Sequence, residues 1–372
     1  MKRILSLDGG GIRGVFSLKI LKRIEEIFRK EHGKPELVLR DVFDFFAGTS
    51  TGAIIAAFLA WGKSVDEIER LYLKHAKIMF SPAPLLKRHK AMYDSDPISR
   101  FFMEEFCEAD GTHAQLGTRK LYANATDRLP KTYLLIVMRN ASTGSTWPIN
   151  NNPMAKYAVR EHPECNLNIP LWKLLRASTA APIFFPPESI TLGEKSHQST
   201  SIFMDGGITP YNNPSLIATL MAILPPYNMN WKTGPEQLQV VSVGTTQART
   251  FFKTRDVERI TRLDQLKHIV PALLHSVGLD QDRMCRVLGD CRHGESLDSE
   301  IGDLVDNVGP LAAGEKKFAY VRYNRTFKPE EVRALKTPFA LDNLGLIRPM
   351  QDAGLEYAKE HVKRGHFFPE KA

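Results

Sequence analysis

The start of the chain decides the fold, in residues 4–14, Ile4-Leu5-Ser6-Leu7-Asp8-Gly9-Gly10-Gly11-Ile12-Arg13-Gly14. The apolar run at 4–7 predicts a buried strand, and residues 15–29, with apolar side chains at three-residue steps, predict an amphipathic helix. Gly9, Gly11 and Gly14 also satisfy G-x-G-x-x-G, a pattern that is typical of dinucleotide-binding turns. A glycine-rich turn that enters a helix presents N–H groups to an anion, so this loop predicts a site for pyrophosphate or another negative charge.

Strand-like and helix-like segments alternate along most of the 372 residues. Strands are predicted at 4–7, 42–46, 121–125, 133–138, 201–204, 240–243 and 318–323, and helices at 15–29, 50–61, 65–79 and 350–363. The segments 82–98 and 150–170 read as loops, and the chain after Thr245 is predicted to be mainly helical through Leu311. This alternation predicts an α/β layer structure with a largely parallel sheet.

The composition is that of an ordinary globular protein, with 43% hydrophobic residues and a net charge of +8 that favours anionic membranes, nucleic acid or phosphorylated ligands. No apolar run approaches the roughly 18 residues that span a bilayer, and Asp8 interrupts the run after Lys2 and Arg3, so we expect no transmembrane helix or secretory signal. The four scattered cysteines predict neither a metal site nor disulfides. Basic segments at 87–90 and 253–267 lack interleaved aromatic residues, which argues against a nucleic-acid polymer as partner.

A second motif, Gly48-Thr49-Ser50-Thr51-Gly52, fits G-x-S-x-G between a predicted strand and a predicted helix. This is the context of a nucleophile elbow, in which a sharp turn exposes the serine hydroxyl at the end of the sheet. The small glycines avoid clashes where the chain reverses, and the helix N-terminus favours developing negative charge. The plainer interpretation is a serine or threonine that caps the helix.

This second motif changes the meaning of the first. A dinucleotide site needs a second strand that ends in an acidic residue about 20 positions after the glycines, and residues 29–36 contain acids without an apolar strand before them. The anion is then better explained as the tetrahedral oxyanion of acyl transfer, held by N–H groups at Gly9, Gly10 and Gly11. Arg13 either fixes this loop or adds positive charge to it.

Asp205-Gly206-Gly207 follows the predicted strand at 201–204 and offers a base for the serine. A carboxylate at a strand end on a glycine turn can reach the sheet edge that carries Ser50, although an aspartate in a β-turn is the alternative. A Ser-His-Asp triad would place a histidine after the aspartate. The histidines that qualify by order are His268, His275, His293, His361 and His366, and none has the sequence context of a catalytic residue.

These motifs, 8–14, 48–52 and 205–207, resemble those of the patatin-like phospholipases in order and spacing. The resemblance extends to Leu175-Arg176-Ala177-Ser178-Thr179-Ala180-Ala181-Pro182, to Phe184-Phe185-Pro186-Pro187 and to Ser242-Val243-Gly244-Thr245. It covers roughly residues 1–250, so we expect a patatin-like catalytic core at 1–250 and a helical C-terminal elaboration at 251–372, packed on the same domain.

The resemblance implies a three-layer α/β/α fold and a Ser-Asp dyad, with Ser50 as nucleophile and Asp205 as base. It implies an oxyanion hole at the glycines of the first motif and no cofactor or metal, so hydrolysis is expected to be independent of calcium. The remaining motif residues are expected to support these loops; they are Arg13, Gly14, Gly48, Gly52, Gly206 and Gly207.

The family resemblance implies acyl esters of membrane phospholipids and lysophospholipids as substrates, and a cytoplasmic protein that associates peripherally with the membrane surface. One alternative is a soluble esterase or thioesterase that acts on small acyl substrates. Another is an effector that degrades membranes only after binding a cyclic oligonucleotide, as in antiphage defence. The sequence leaves the gating ligand and a homo-oligomeric state open.

Overall fold

The computed structural model describes residues 1–84, 89, 91–124, 126–159, 162, 164–193, 198–248, 261–298, 300, 302 and 315–368. The strands are β1 Lys2–Leu7, β2 Phe45–Thr49, β3 Tyr133–Asn140, β4 Ser145–Asn150, β5 Glu188–Leu192, β6 Ser199–Asp205, β7 Leu238–Val243, β8 Gln247–Ala248, β9 Asp290–His293, β10 Ala319–Tyr323 and β11 Thr326–Phe327. The helices are α1 Gly14–His32, α2 Thr51–Trp61, α3 Val65–Met79, α4 Asp96–Glu105, α5 Leu171–Ser178, α6 Ser215–Ile223, α7 Arg262–Leu288, α8 Pro329–Ala334 and α9 Ile347–His361.

A nine-stranded sheet runs through the described part of the chain in the order β5-β6-β3-β2-β1-β7-β10-β9, with β4 paired to β3. The pairings from β3 through β2, β1, β7 and β10 to β9 are all parallel, whereas β4, β5 and β6 pair antiparallel. The sheet is therefore mostly parallel, and the carboxyl ends of β1, β2, β7 and β10 meet at one edge.

Side chains of the central strands alternate between two hydrophobic cores, as expected when helices cover both faces of a sheet. On β1, Leu5 and Leu7 contribute to one core with α1, α2, α3, α5 and α9. Ile4 contributes to the other, together with α6 and the end of α7. The predicted α/β/α layering is confirmed.

Local signals explain the ends of the helices beside β1 and β2. Helix α1 ends at Gly33, whose φ of 61° is the left-handed conformation that closes helices. Helix α3 begins with a capping box in which the Ser64 hydroxyl accepts from the Glu67 amide and the Glu67 carboxylate accepts from the Ser64 amide. No helix among the described residues is long and apolar enough to cross a membrane.

Most predicted elements are confirmed, with three corrections. The second strand is Phe45–Thr49 rather than 42–46, because Asp44 turns the chain by bonding Lys2 and the Arg3 amide. Residues 121–124 are not a strand; a short 3-10 turn ends at Leu121, and the Asp127 carboxylate then accepts from the Asn124 amide. The predicted strand residue 125 lies outside the described residues.

The third correction concerns two predicted segments, one a loop and one mainly helical, that contain other elements as well. The predicted loop at 82–98 overlaps the start of α4, where Pro97 lies in the first turn of the helix. The segment after Thr245 includes α7, but β9 also lies within it and extends the sheet by pairing with β10. Within this predicted segment, residues 249–260, 299, 301 and 303–311 lie outside the described part of the chain. The division of the chain at residue 250 stays a prediction.

Candidate active site

Ser50 lies on a strained turn between β2 and α2. Its φ and ψ of 53° and −124° are uncommon for a residue with a side chain, and such strain clusters at functional sites. A Cβ added to Gly48 would overlap the Gly52 backbone, and one added to Gly52 would overlap the Leu7 carbonyl oxygen of β1. Glycine is thus required on both sides of Ser50, because the reversed chain packs directly on the sheet.

The Ser50 hydroxyl donates directly to Asp205, with 2.7 Å between Oγ and Oδ2 and no histidine between them. The other oxygen, Asp205 Oδ1, accepts from the Gly207 amide at 2.6 Å. Asp205 is buried, and burial raises the pKa of its carboxyl to about 6, while the hydrogen bonds from Gly207 and Ser50 act in the opposite direction. A carboxylate with this pKa is ionised at neutral pH and can accept a proton.

Asp205 reaches Ser50 from an antiparallel strand, which the sequence did not predict. Strand β6 pairs antiparallel to β3 and places Asp205 opposite Met138. On the other edge of β3, Val137 lies opposite Thr49, the residue before Ser50. The register of three strands therefore brings the two side chains together. A Cβ on Gly206 would overlap the Val137 carbonyl oxygen, so this turn also requires glycine.

The glycine loop after β1 lies against the serine turn. A Cβ on Gly9 would come within 3.2 Å of Ser50 Cβ, and one on Gly10 would overlap the Thr245 side chain. Gly11 has a φ of 56°, and its space is closed by the Leu341 carbonyl oxygen. The Gly9 amide donates to the Asn212 carbonyl oxygen, so Gly9 offers space beside the serine rather than a free donor.

Two carbonyl groups of the loop are fixed by hydrogen bonds. The Thr245 hydroxyl donates to the Gly9 carbonyl oxygen at 2.8 Å, and Arg13 donates to the Gly10 carbonyl oxygen from its amide and its Nε. In a trans peptide the next N–H points away from the carbonyl, so the N–H groups of Gly10 and Gly11 are held in the opposite direction. Within the described part of the chain, neither N–H donates to another residue.

Arg13 lies behind the loop and ties it to the sheet edge. Besides the Gly10 carbonyl oxygen, it donates to the Thr246 carbonyl oxygen at 3.1 Å, and its guanidinium lies over the Phe339 ring. Burial lowers the pKa of Arg13 to about 10, so it remains charged at neutral pH. A Cβ on Gly14 would lie 2.8 Å from Thr51 Oγ1, so this glycine allows α1 and α2 to pack closely.

Sequence reasoning gave no role to several residues that hold the site. Ser178 at the end of α5 accepts from the Ser50 amide at 2.9 Å and donates to the Val137 carbonyl oxygen at 2.6 Å. Asp8, which precedes the glycine loop, forms a buried bidentate ion pair with Arg322 on β10. Burial alone would lower the pKa of Arg322, but the charge and hydrogen bonds of Asp8 contribute to a net rise. Ser178 and Thr245 lie in segments that carry the family resemblance, whereas nothing local in the sequence singles out Arg322.

The candidate histidines have other partners in the structure. His366 accepts from or donates to the Tyr323 hydroxyl at 2.7 Å and stacks on His293, and His275 bonds Gln247. The side chain of His268 lies outside the described residues. Over the described ranges, no group of three or more histidine, cysteine, aspartate or glutamate side chains could hold a metal ion.

A serine on a strained strand-to-helix turn, at the carboxyl edge of a mostly parallel sheet, defines an α/β protein of the nucleophile-elbow class. A sequence model of the family described as "Patatin-like phospholipase" matches residues 5–219, which is more than half of the chain. The chain therefore belongs to the patatin-like phospholipase family, and the resemblance of its motifs is confirmed.

Proteins that are similar in sequence to this chain include bacterial and animal phospholipases. The chain is 31% identical over 251 residues to a cGAMP-activated phospholipase of Escherichia coli, covering 65% of this chain and 62% of that protein. It is 31% identical to a cGAMP-activated phospholipase of Vibrio cholerae, over 58% of this chain and 56% of that one. An intracellular phospholipase A2 of Caenorhabditis elegans is 31% identical over 72% of this chain and 22% of its own length. The chain thus spans less than two thirds of each of these relatives.

Proposed function

We propose that this protein is a serine acyl hydrolase of the phospholipase A type, with Ser50 as nucleophile and Asp205 as base. The observation that carries the proposal is the 2.7 Å hydrogen bond between the two side chains on the strained turn. A nucleophile within hydrogen-bond reach of an ionisable base is the arrangement that covalent catalysis requires. The family and the relatives support the reaction class.

The first half of the reaction forms an acyl-enzyme. Asp205 accepts the Ser50 proton while Oγ attacks the ester carbonyl carbon, and the carbonyl π pair moves to the oxygen. The tetrahedral intermediate collapses, the carbon–oxygen bond to the leaving group breaks, and Asp205 returns the proton to the departing alcohol. In the second half, Asp205 takes a proton from water as that water attacks the acyl carbon. The bond from this carbon to Ser50 Oγ then breaks, Asp205 returns the proton to Oγ, and a fatty acid leaves.

The oxyanion of both intermediates requires donors that are already oriented. The N–H groups of Gly10 and Gly11 fit this role, because their peptide planes are fixed by Thr245 and Arg13 and both are unused within the described chain. The N-terminus of α2, which begins next to Ser50, adds a favourable dipole. No step needs a metal ion, so EDTA is expected to leave the rate unchanged.

Membrane glycerophospholipids are the proposed substrates, reached by peripheral association of a chain that carries a net charge of +8. Two relatives named cGAMP-activated phospholipases support a cyclic oligonucleotide as activator, and with it a role in antiphage defence. Activation by such a ligand makes the hydrolase conditional, which protects the membrane of the cell that contains it.

The decisive experiment measures fatty-acid release from vesicles of phosphatidylethanolamine and phosphatidylglycerol, in EDTA, with and without cGAMP and other cyclic oligonucleotides. Ser50→Ala and Asp205→Asn are each expected to lose on the order of 100-fold or more. Ser99→Ala is the matched control, because the Ser99 hydroxyl donates to the carbonyl oxygen of Ser95, one turn back at the start of α4. Release that survives Ser50→Ala contradicts the nucleophile, and hydrolysis of short-chain esters alone favours a soluble esterase.

A further inference from the structure

Ile183 combines backbone strain with exposure of an apolar side chain. Its φ of 75° lies in the left-handed region, where a β-branched residue is an outlier. Its side chain is 75% exposed, so packing does not compensate for the strain. Asparagine or glycine would adopt this conformation at lower cost, and strained positions cluster at functional sites. The fold has no need of isoleucine here, which points to a use for the exposed side chain.

The turn that carries Ile183 is bonded to a second exposed apolar residue. The Met92 amide donates to the Ile183 carbonyl oxygen at 3.0 Å, and the Tyr93 amide donates to the Phe184 carbonyl oxygen at 2.8 Å. The rings of Tyr93 and Phe184 are stacked, and Met92 is 46% exposed. We call Met92, Ile183 and Phe184 the apolar rim.

The apolar rim is connected to both sides of the catalytic pair. On one side, the Ala180 carbonyl oxygen, three residues before Ile183, accepts from the Asp205 amide at 3.0 Å. On the other side, the Tyr93 hydroxyl donates to Asp342. The carbonyl oxygen of the preceding residue, Leu341, accepts from the Ile12 amide next to the glycine loop. Hydrogen bonds thus connect the segments that carry the rim to Asp205 on one side and to the glycine loop on the other.

We propose that the apolar rim inserts into the interface of a phospholipid bilayer and holds the active site against it. This inference rests on the proposed function. Exposed apolar side chains gain free energy when they leave water for the acyl boundary, and insertion next to the catalytic pair shortens the path of a lipid to Ser50. The net charge of +8 complements an anionic surface.

A second exposed methionine provides a control at the other end of the sheet. Met154 is 56% exposed, and its carbonyl oxygen accepts from Asn228. Met154 lies three residues after Asn151, whose side chain accepts from the Leu134 amide near the start of β3. Ser50 lies at the opposite edge of the sheet, where the parallel strands end. General loss of apolar surface would affect Met154 and Met92 alike, and insertion of the rim affects only Met92.

The test measures cosedimentation with phosphatidylethanolamine–phosphatidylglycerol vesicles, with every variant in the Ser50→Ala background so that lipid is not consumed. Ile183→Asn, which suits the left-handed backbone, is expected to weaken vesicle binding about tenfold, and Met92→Gln several-fold. Met154→Gln is expected to bind as the parent does. With Ser50 intact, Ile183→Asn is expected to hydrolyse a soluble short-chain ester within about twofold of the parent rate.

Each outcome has one meaning. Vesicle binding by Ile183→Asn that equals the parent's overturns the proposal, as does absence of vesicle binding by the parent. An equal loss in Met154→Gln, or a parallel loss of soluble-ester hydrolysis in Ile183→Asn, also overturns it, because neither is specific to insertion. Rim-dependent binding, with no fatty-acid release by the protein that retains Ser50 either with or without cyclic oligonucleotides, would sustain the rim and sink the proposed phospholipase activity.

Discussion

Ser50 and Asp205 reach the same point from strands that run in opposite directions, and the two sides of the site differ in their electrostatics. The serine turn and the glycine loop follow parallel strands, and each leads into a helix, α2 and α1. Asp205 ends the antiparallel strand β6 and is followed only by a short 3-10 turn at Gly206–Ile208. The helix N-termini on the serine side favour negative charge on a substrate. On the other side, Asp205 is buried, and burial raises the pKa of its carboxyl.

Both sides nevertheless orient an N–H group by the same means. The Thr245 hydroxyl holds the Gly9 carbonyl oxygen, and the N–H of that peptide belongs to Gly10. The Thr209 hydroxyl holds the Gly206 carbonyl oxygen at 2.6 Å, and the N–H of that peptide, from Gly207, donates to Asp205. A threonine thus fixes a glycine peptide on each side, aimed at the proposed oxyanion in one case and at the proposed base in the other.

The largest difference between the sides is expected from added methyl groups. Gly10→Ala would overlap Thr245 and displace the peptide that carries the proposed oxyanion donor, so we expect a loss of about 100-fold in kcat. Gly207→Ala places its Cβ 3.0 Å from Asp205 Oδ1, which a small shift relieves, so about tenfold is expected. Steady-state kinetics on vesicles measures both, with thermal unfolding as control. Equal losses would contradict separate roles.

Valine at the two threonines sharpens the comparison, because it keeps the shape and removes the hydroxyl. Thr245→Val is expected to lower kcat about tenfold with little change in KM or in the pH profile, since only an oriented donor is disturbed. Thr209→Val loosens the Gly207 N–H from Asp205, so the acidic limb of the kcat/KM profile is expected to move to higher pH. The reverse assignment of these effects would refute the paired arrangement.

The nucleophile side could be predicted from the sequence because its signals are contiguous. A buried strand, a glycine turn and a helix follow one another within residues 2–32, where the helix is amphipathic, and again within 45–61, where the helix is buried, so local pattern and fold agree. The partner of Ser50 was also predictable as a residue, since Asp205 precedes two glycines. The direction of its strand, β6, was not predictable, because the strands β4 and β5 that precede β6 in the chain were not recognised. Both have few buried residues, and β4 contains Pro148.

Supporting residues escaped prediction because their contacts depend on sheet order. Ser178 ends a short helix, and only the fold brings it to the Ser50 amide, 128 positions away. Asp8 pairs with Arg322, 314 positions away, across β7, the strand that lies between β1 and β10. The extension of β2 beyond residue 46 has a similar cause, since Gly48 and Thr49 become strand residues through pairing with β1 and β3 rather than through propensity.

A further expected effect is the pH dependence that Asp205 confers on stability. Its pKa in the folded protein, about 6, lies above the ordinary 3.8, so folding favours the protonated form. The free energy of unfolding is therefore expected to fall by up to about 3 kcal/mol as pH rises from about 4 to about 7, while kcat/KM rises over the upper part of that range.

Asp205→Asn separates the two consequences, because asparagine keeps the shape and cannot titrate. Urea unfolding at about pH 5 and about pH 7.5 is expected to show the stability difference in the parent and to lose most of it in Asp205→Asn, which should be the more stable protein at the higher pH. A variant that is less stable at that pH would mean that the hydrogen bonds from Ser50 and Gly207 outweigh burial of the charge. The surroundings of Asp205 would then stabilise a negative charge, as the glycine loop is proposed to do for the oxyanion.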